Sequence, residues 1–287
     1  MVSNKQKTKV IEILNDYAFK KVFGEIGQEP LLTILLNGLL GRFGENTIKN
    51  IEIIERTIPR ENYTDKEIQL DILARTDTGE EFIIESQLKN MDMKARTTFY
   101  GSTRLYKAVK KGQDYKIMNP VVLITIFGNT VKKRDKNKDY HEWEKTNDYM
   151  ERHEFIIPKF DKLKNKNINN PQHRCLLFLS PNTSEKMKKK VINMEPKLAE
   201  AQEIMDHINS SPEEKELYDM RELVRMDIKN ARENDLQEGK EIGIEEGKEI
   251  GIEEGKIEIA KKLKNKGFSN EKISEITNLN KKIIKKL

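Results

Sequence analysis

Residues 67–89 read EIQLDILARTDTGEEFIIESQLK, and the fold is decided there. Two roughly alternating, apolar-rich runs, 67–74 and 81–87, flank the tripeptide Asp77-Thr78-Gly79. A type I turn followed by a left-handed glycine joins two strands in a three-residue hairpin, and this tripeptide has the right residue types for it. Cross-strand partners then have numbers that sum to 156, so Asp71 faces Glu85 and Gln69 faces Gln87. Opposed Cβ atoms lie ~4.5–5.5 Å apart on one face of a sheet. Leu70, Ile72, Phe82 and Ile84 fall on the other face and are the expected core. Two opposed carboxylates repel and resist desolvation unless a cation sits between them. Magnesium accepts a few carboxylate oxygens and keeps its other positions for water and phosphate, which suits hydrolysis of a phosphodiester. A structural hairpin that merely carries acids fits the same pattern.

Outward from this hairpin, the chain alternates helical and strand patterns. Residues 10–23 have helical spacing broken at Asn15-Asp16, and Pro30 opens an apolar helix over 31–40 that Gly41 ends. Residues 51–58 read as one strand stopped by Pro59. A helix is expected over 91–111 with Phe99, Leu105 and Val109 inward, then a doubly buried strand over 120–127. Further strands are expected at 154–157 and 175–179, and helices at 184–208 and 212–230. Together these make a mixed α/β domain over 1–228.

Residues 229–256 differ. They contain an eight-residue repeat with glycines at 239, 243, 247, 251 and 255, each costing a helix ~1 kcal/mol relative to alanine. The segment is either a flexible, partly helical connector or a helix that pairs with a second copy of itself. Residues 257–287 hold three short amphipathic segments, marked by Ile259, Leu263 and Phe268, by Ile273 and Ile276 after a Ser269 cap, and by Ile283, Ile284 and Leu287. That suits a small helix-turn-helix-like unit that docks on DNA, or an oligomerisation cap giving a homodimer.

Composition narrows the classes. Of 287 residues, 36% are hydrophobic and 35% charged, against ~25% charged for ordinary proteins. The longest apolar run, 31–40, falls short of the ~18 residues that span a membrane, and no membrane partner is expected. Residues 1–9 are basic but lead into no apolar stretch, and the lone Cys175 excludes an internal disulfide framework, so a reducing, cytoplasmic setting is expected. Four scattered histidines and one cysteine make no conventional zinc site; any metal is a hard ion on carboxylates. The net charge of +5, with basic runs at 132–138, 186–190 and 281–286, is compatible with a nucleic-acid partner.

The segments NDYAFKKVFGE (15–25), LLTILLNGLLG (31–41), LDILARTDTGEEF and IIESQ around Asp71 and Glu85, KARTTFYGSTRLYKAVKKGQDY (94–115), NPVVLITIF (119–127) and FIIPKF (155–160) together resemble the PD-(D/E)XK nuclease superfamily. More closely they resemble the Rpn-type recombination-promoting nucleases, also described as transposases. The resemblance implies a restriction-endonuclease-like α/β core, a mixed central sheet flanked by helices, with an α-helical C-terminal extension. It implies cleavage of DNA with Mg2+ or another divalent cation such as Mn2+, and no small-molecule organic cofactor. Asp71 and Glu85 take the metal-ligand positions. Gln87 stands where most superfamily members carry lysine, so the usual positive charge is missing there. Leu70 stands in place of the proline of the motif's name. Asp16 fits an auxiliary acidic position, or is a cap of its helix. Lys20, Arg96 and Tyr100 are the DNA-binding candidates, Arg96 and Tyr100 sharing one helix face. Competing readings are a DNA-binding or self-associating module with a decayed core, and a nuclease toxin or phage-defence effector.

Overall fold

The computed structural model describes residues 10–55, 57–58, 68–88, 93–128 and 139–287. The expected strand stop at Pro59, the basic run 132–138 and the N-terminal 1–9 lie outside these residues. A six-stranded sheet runs in the order β1 (Ile51–Ile53), β4 (Ile72–Thr76), β5 (Glu81–Gln87), β6 (Val121–Phe127), β8 (Met150–Ile156), β7 (His141–Asn147). Strand β4 is antiparallel to β1 and β5; β5, β6 and β8 are mutually parallel; β7 folds back antiparallel on β8. Short strands β2 (Thr57–Ile58) and β3 (Ile68–Gln69) make a separate two-stranded ladder.

The hairpin register is the expected one: Ile72 pairs with Ile84, Ala74 with Phe82 and Arg75 with Glu81. Gly79 takes φ +90°, and its N–H donates to the Thr76 carbonyl, which closes the turn. The strand expected over 67–74 is broken, however. It divides at Leu70-Asp71, and β3 leaves to pair with β2, so Gln69 faces Thr57 rather than Gln87. The break also interrupts the in-out alternation. Leu70 therefore joins Leu73, Ile83, Tyr100, Val121, Leu123 and Met150 in one buried cluster, and does not share a face with Ile72.

Parallel pairing of β5 and β6 requires a crossover, supplied by helix α3 (Met93–Ala108). Its buried residues are Met93, Thr97, Tyr100 and Gly101. Phe99, expected inward, is exposed, because the helix presents the 93/97/100/101 stripe to the sheet. The opposite face meets α1 (Asp16–Phe23) and α2 (Glu29–Leu40): Gly24 abuts Ile72, and the Arg42 guanidinium lies over the Phe82 ring. Pro30 near the start of α2 and left-handed Gly41 at its end bound that helix as expected.

Three other expectations are corrected, and one expected strand is longer than the sequence suggested. The apolar run 175–179 is not a strand but the end of helix α5 (Pro171–Leu179), started by Asn170, whose side chain accepts from the N–H groups of Gln172 and His173. It packs so closely on α2 that a Cβ at Gly38 would lie 2.2 Å from Cys175 Sγ. Residues 51–58 give two short strands, not one. The strand expected at 154–157 is the end of β8, and its neighbour β7 has too polar a sequence (HEWEKTN) to have signalled a strand. The helix expected over 184–208 is divided into α6 (Glu185–Met194) and α7 (Leu198–Ser210) around Pro196. Between β8 and α5, the FIIPKF segment includes the short helix α4 (Ile157–Asp161).

By compactness the chain divides at Lys215/Glu216. Helix α8 (Pro212–Asn265) is one uninterrupted helix, so positions 228 and 256 both fall within it, and its five repeat glycines contact nothing beyond their own helix. After it come α9 (Asn270–Thr277), capped by Ser269, and α10 (Lys281–Lys286), capped by Asn280. Ala260, Ile273, Leu279 and Ile284 form the small core of this unit, with Ile257, Leu263 and Leu287 against it. Ile259, Phe268 and Ile276 are exposed instead.

Candidate active site

Asp71 lies at the strand break, within reach of Lys20 on α1, and Glu85 lies within reach of Arg96 in the first turn of α3. Asp71 and Glu85 remain side by side there, and each touches the other's strand. The Asp71 N–H donates to Glu85 Oε1 (3.4 Å), and the Ser86 N–H donates to Asp71 Oδ2 (3.0 Å). Both residues are buried, Glu85 completely. Gln87 Nε2 donates to Glu85 Oε2 (3.3 Å), so the amide orients that carboxylate but gives it no charge.

Among the described residues two cations flank the pair, one from each helical layer. From α1, Lys20 Nζ lies 2.6 Å from an Asp16 carboxylate oxygen and 3.1 Å from Asp71 Oδ1. From α3, an Arg96 terminal nitrogen lies 3.9 Å from Glu85 Oε2. Arg96 Nε donates to the Tyr100 hydroxyl, and the guanidinium sits over that ring. Tyr100 is itself part of the buried cluster beneath α3, so it braces Arg96 from below.

The electrostatics follow from burial. Desolvation raises the Asp71 carboxyl to about 6; Lys20 opposes the rise and Asp16 adds to it. Desolvation and the adjacent Asp71 raise Glu85 to about 8, against the pull of Arg96. Burial alone would lower Lys20, but Asp71 and Asp16 outweigh it, and the ammonium is held more firmly than an ordinary lysine's. Arg96 is likewise raised, Glu85 and Tyr100 outweighing its desolvation.

All the residues expected from the sequence thus meet here: Asp16, Lys20, Asp71, Glu85, Gln87, Arg96 and Tyr100. The sequence reading missed two more. Ser86 Oγ donates to the Leu14 carbonyl (2.7 Å) while its N–H holds Asp71, so one residue fastens α1 and the acidic pair together. Asn15, not Asp16, is the N-cap of α1: its side chain accepts from the Tyr17 N–H, which leaves Asp16 in the first turn beside Lys20. The second, Thr125, neighbours Glu85 across the β5–β6 ladder, and its buried hydroxyl has no partner among the described residues.

A divalent cation suits this donor set. Among the described residues no group of three or more His, Cys, Asp or Glu forms a metal cage. Magnesium does not need one, since it binds through one or two carboxylates and retains water. The two buried carboxyls stay raised despite Lys20 and Arg96, so further positive charge between them would be stabilising, and the Thr125 hydroxyl beside Glu85 lacks a partner, among the described residues, that a bound water would supply.

A family model described as the PD-(D/E)XK nuclease family transposase matches residues 13–235. No curated protein and no solved structure matches the chain. The family match takes in every strand of the sheet, the acidic pair and both flanking cations. The chain belongs to the PD-(D/E)XK nuclease family transposases.

Proposed function

We propose that the protein is a divalent-metal-dependent DNA endonuclease that hydrolyses phosphodiester bonds in recombination or in the activity of transposon-like mobile elements. The observation that carries this reading is the Asp71–Glu85 pair, buried at a strand break and flanked by Lys20 and Arg96. Bound between the two carboxylates, Mg2+ or Mn2+ would acidify a water and neutralise charge on the scissile phosphate. Asp71 and Glu85 would hold the cation; Ser86 fixes Asp71 and Gln87 fixes Glu85. Asp16 is the auxiliary acid and acts on Lys20 and Asp71. Arg96, steadied by Tyr100, contacts a phosphate next to the one being cut.

In this reading residues 1–228 form the nuclease, 229–256 a helical spacer, and 257–287 a unit that adds DNA affinity or joins two copies. Repeat glycines with open space beside them would allow two α8 helices to approach closely. Among the described residues no helix is long and apolar enough to cross a membrane. The same chemistry would serve the competing reading, a nuclease toxin or phage-defence effector.

The test is a plasmid-nicking assay on the wild type and Asp71→Ala, with and without Mg2+. Magnesium-dependent nicking that Asp71→Ala reduces by at least about 100-fold is expected, on the scale of losing a group essential to the transition state. Nicking that persists in Asp71→Ala places the catalytic metal elsewhere. A wild type that binds DNA and never nicks it favours the decayed-core reading.

A further inference from the structure

We infer that Lys20, on α1, supplies at the scissile phosphate the positive charge that position 87 lacks in this chain. The inference rests on the nuclease reading above and assigns a catalytic residue within it. Gln87 is neutral, and its amide is engaged by Glu85. Among the described cations, Lys20 lies nearest the acidic pair, at 3.1 Å from Asp71, whereas Arg96 stands 3.9 Å from Glu85 with its Nε taken by Tyr100. An ammonium has three N–H donors. Asp16 and Asp71 accept two, and no other described residue takes the third, which is open to a phosphate oxygen.

The fold holds this lysine in place rather than leaving it on a mobile stem. Helix α1 is capped by Asn15 one turn before Lys20, and the Ser86 hydroxyl grips the Leu14 carbonyl just ahead of the cap. On the far side, the Glu214 carboxylate accepts hydrogen bonds from Tyr17 and Lys21. The strand break lets an α1 side chain reach Asp71 from the sheet face opposite α3.

In the reaction, water oxygen bonds to phosphorus and the P–O bond to one sugar breaks. That bond's electron pair stays on the departing oxygen, which takes a proton from solvent, while the attacking water releases one. Negative charge grows on the phosphoryl oxygens in between, and a fixed ammonium there stabilises that state more than the bound substrate.

The test compares Lys20→Met, Lys20→Arg and the double variant Lys20→Met/Gln87→Lys on a labelled DNA duplex, in single-turnover cleavage with saturating Mg2+. Binding of the same duplex in chelator is measured in parallel. Lys20→Met is expected to lower the cleavage rate about 100- to 1,000-fold, far more than it lowers DNA affinity in chelator. Lys20→Arg should retain part of the rate, and returning a lysine to position 87 should recover at least about tenfold over Lys20→Met. If Lys20→Met does not melt as a folded protein, Lys20→Gln, which keeps a polar donor there without the charge, carries the same comparison. Wild-type cleavage in the neutral variant overturns the inference, as does a loss confined to affinity or a double variant no faster than Lys20→Met. A wild type that requires Asp71 but ignores Lys20→Met overturns this inference alone. A wild type that cuts with no divalent metal overturns the nuclease reading and this inference with it.

Discussion

Glu85 is fully buried, and its carboxyl is raised to about 8 by desolvation and by Asp71. A carboxyl whose pKa is higher folded than unfolded binds its proton more tightly in the folded state. Its contribution to stability is therefore present at low pH and is lost as pH climbs from the ordinary carboxylate value through about 8. Glu85→Gln, which mimics the protonated form, should melt with the wild type near pH 4. At pH 8 in chelator it should be the more stable by on the order of a few kcal/mol, at ~1.4 kcal/mol per pKa unit. A melting difference that stays constant from pH 5 to pH 8 would show that Glu85 is ionised throughout. The acidic pair was legible in the sequence because strand alternation and one turn determine which residues face each other. The Ser86 clasp was not, since its partner Leu14 lies 72 positions away and only the tertiary fold joins them.

At the scale of elements, the Asp77-Thr78-Gly79 turn sets the register that brings Asp71 to Glu85. Gly79 sits at φ +90°, and an added Cβ would lie 2.4 Å from Asn119 Nδ2. Gly79→Ala should cost about 1–2 kcal/mol for the left-handed backbone alone, with the Asn119 amide displaced. Cleavage should survive, because strand alternation still sets the buried face. Unchanged stability in denaturant melts would contradict the left-handed turn. The turn was readable because only a few residue types tolerate it. The helix over 171–179 was not, because five consecutive apolar residues suit a buried strand as well as a buried helix. The deciding features were the Asn170 cap and Pro171, just upstream of the run. The break at Leu70-Asp71 had no local signal either, since it follows from β3 finding β2 as its partner.

Over the whole molecule, charge is distributed unevenly. Residues 257–287 hold nine lysines and three glutamates, a surplus of six, while the entire chain carries +5. The remainder is thus slightly acidic, and the tail is where an electrostatic attraction for DNA would be concentrated. All three of these glutamates pair with lysines (Glu258 with Lys262, Glu275 with Lys272, Glu271 with Lys281), and Lys264 donates to the Ile284 carbonyl. If about four of the remaining lysines met phosphates, the salt dependence of binding would steepen by roughly 3.6, at ~0.9 per neutralised phosphate. Deleting residues 238–287 should then weaken DNA binding and flatten its salt slope, yet leave metal-dependent cleavage intact at saturating DNA. The tail has no aspartate or histidine, and its glutamates are spent on lysines, so no chemistry should leave with it. If the truncated protein keeps the full salt slope but its mass in solution falls, the glycine-bearing helix joins two copies and the lysines serve only as its solvated face. The repeat alone left both a flexible connector and a pairing helix open. Five glycines weaken an isolated helix by about 5 kcal/mol, and the observed continuity of α8 sets helix-favouring Glu and Lys between them against that cost.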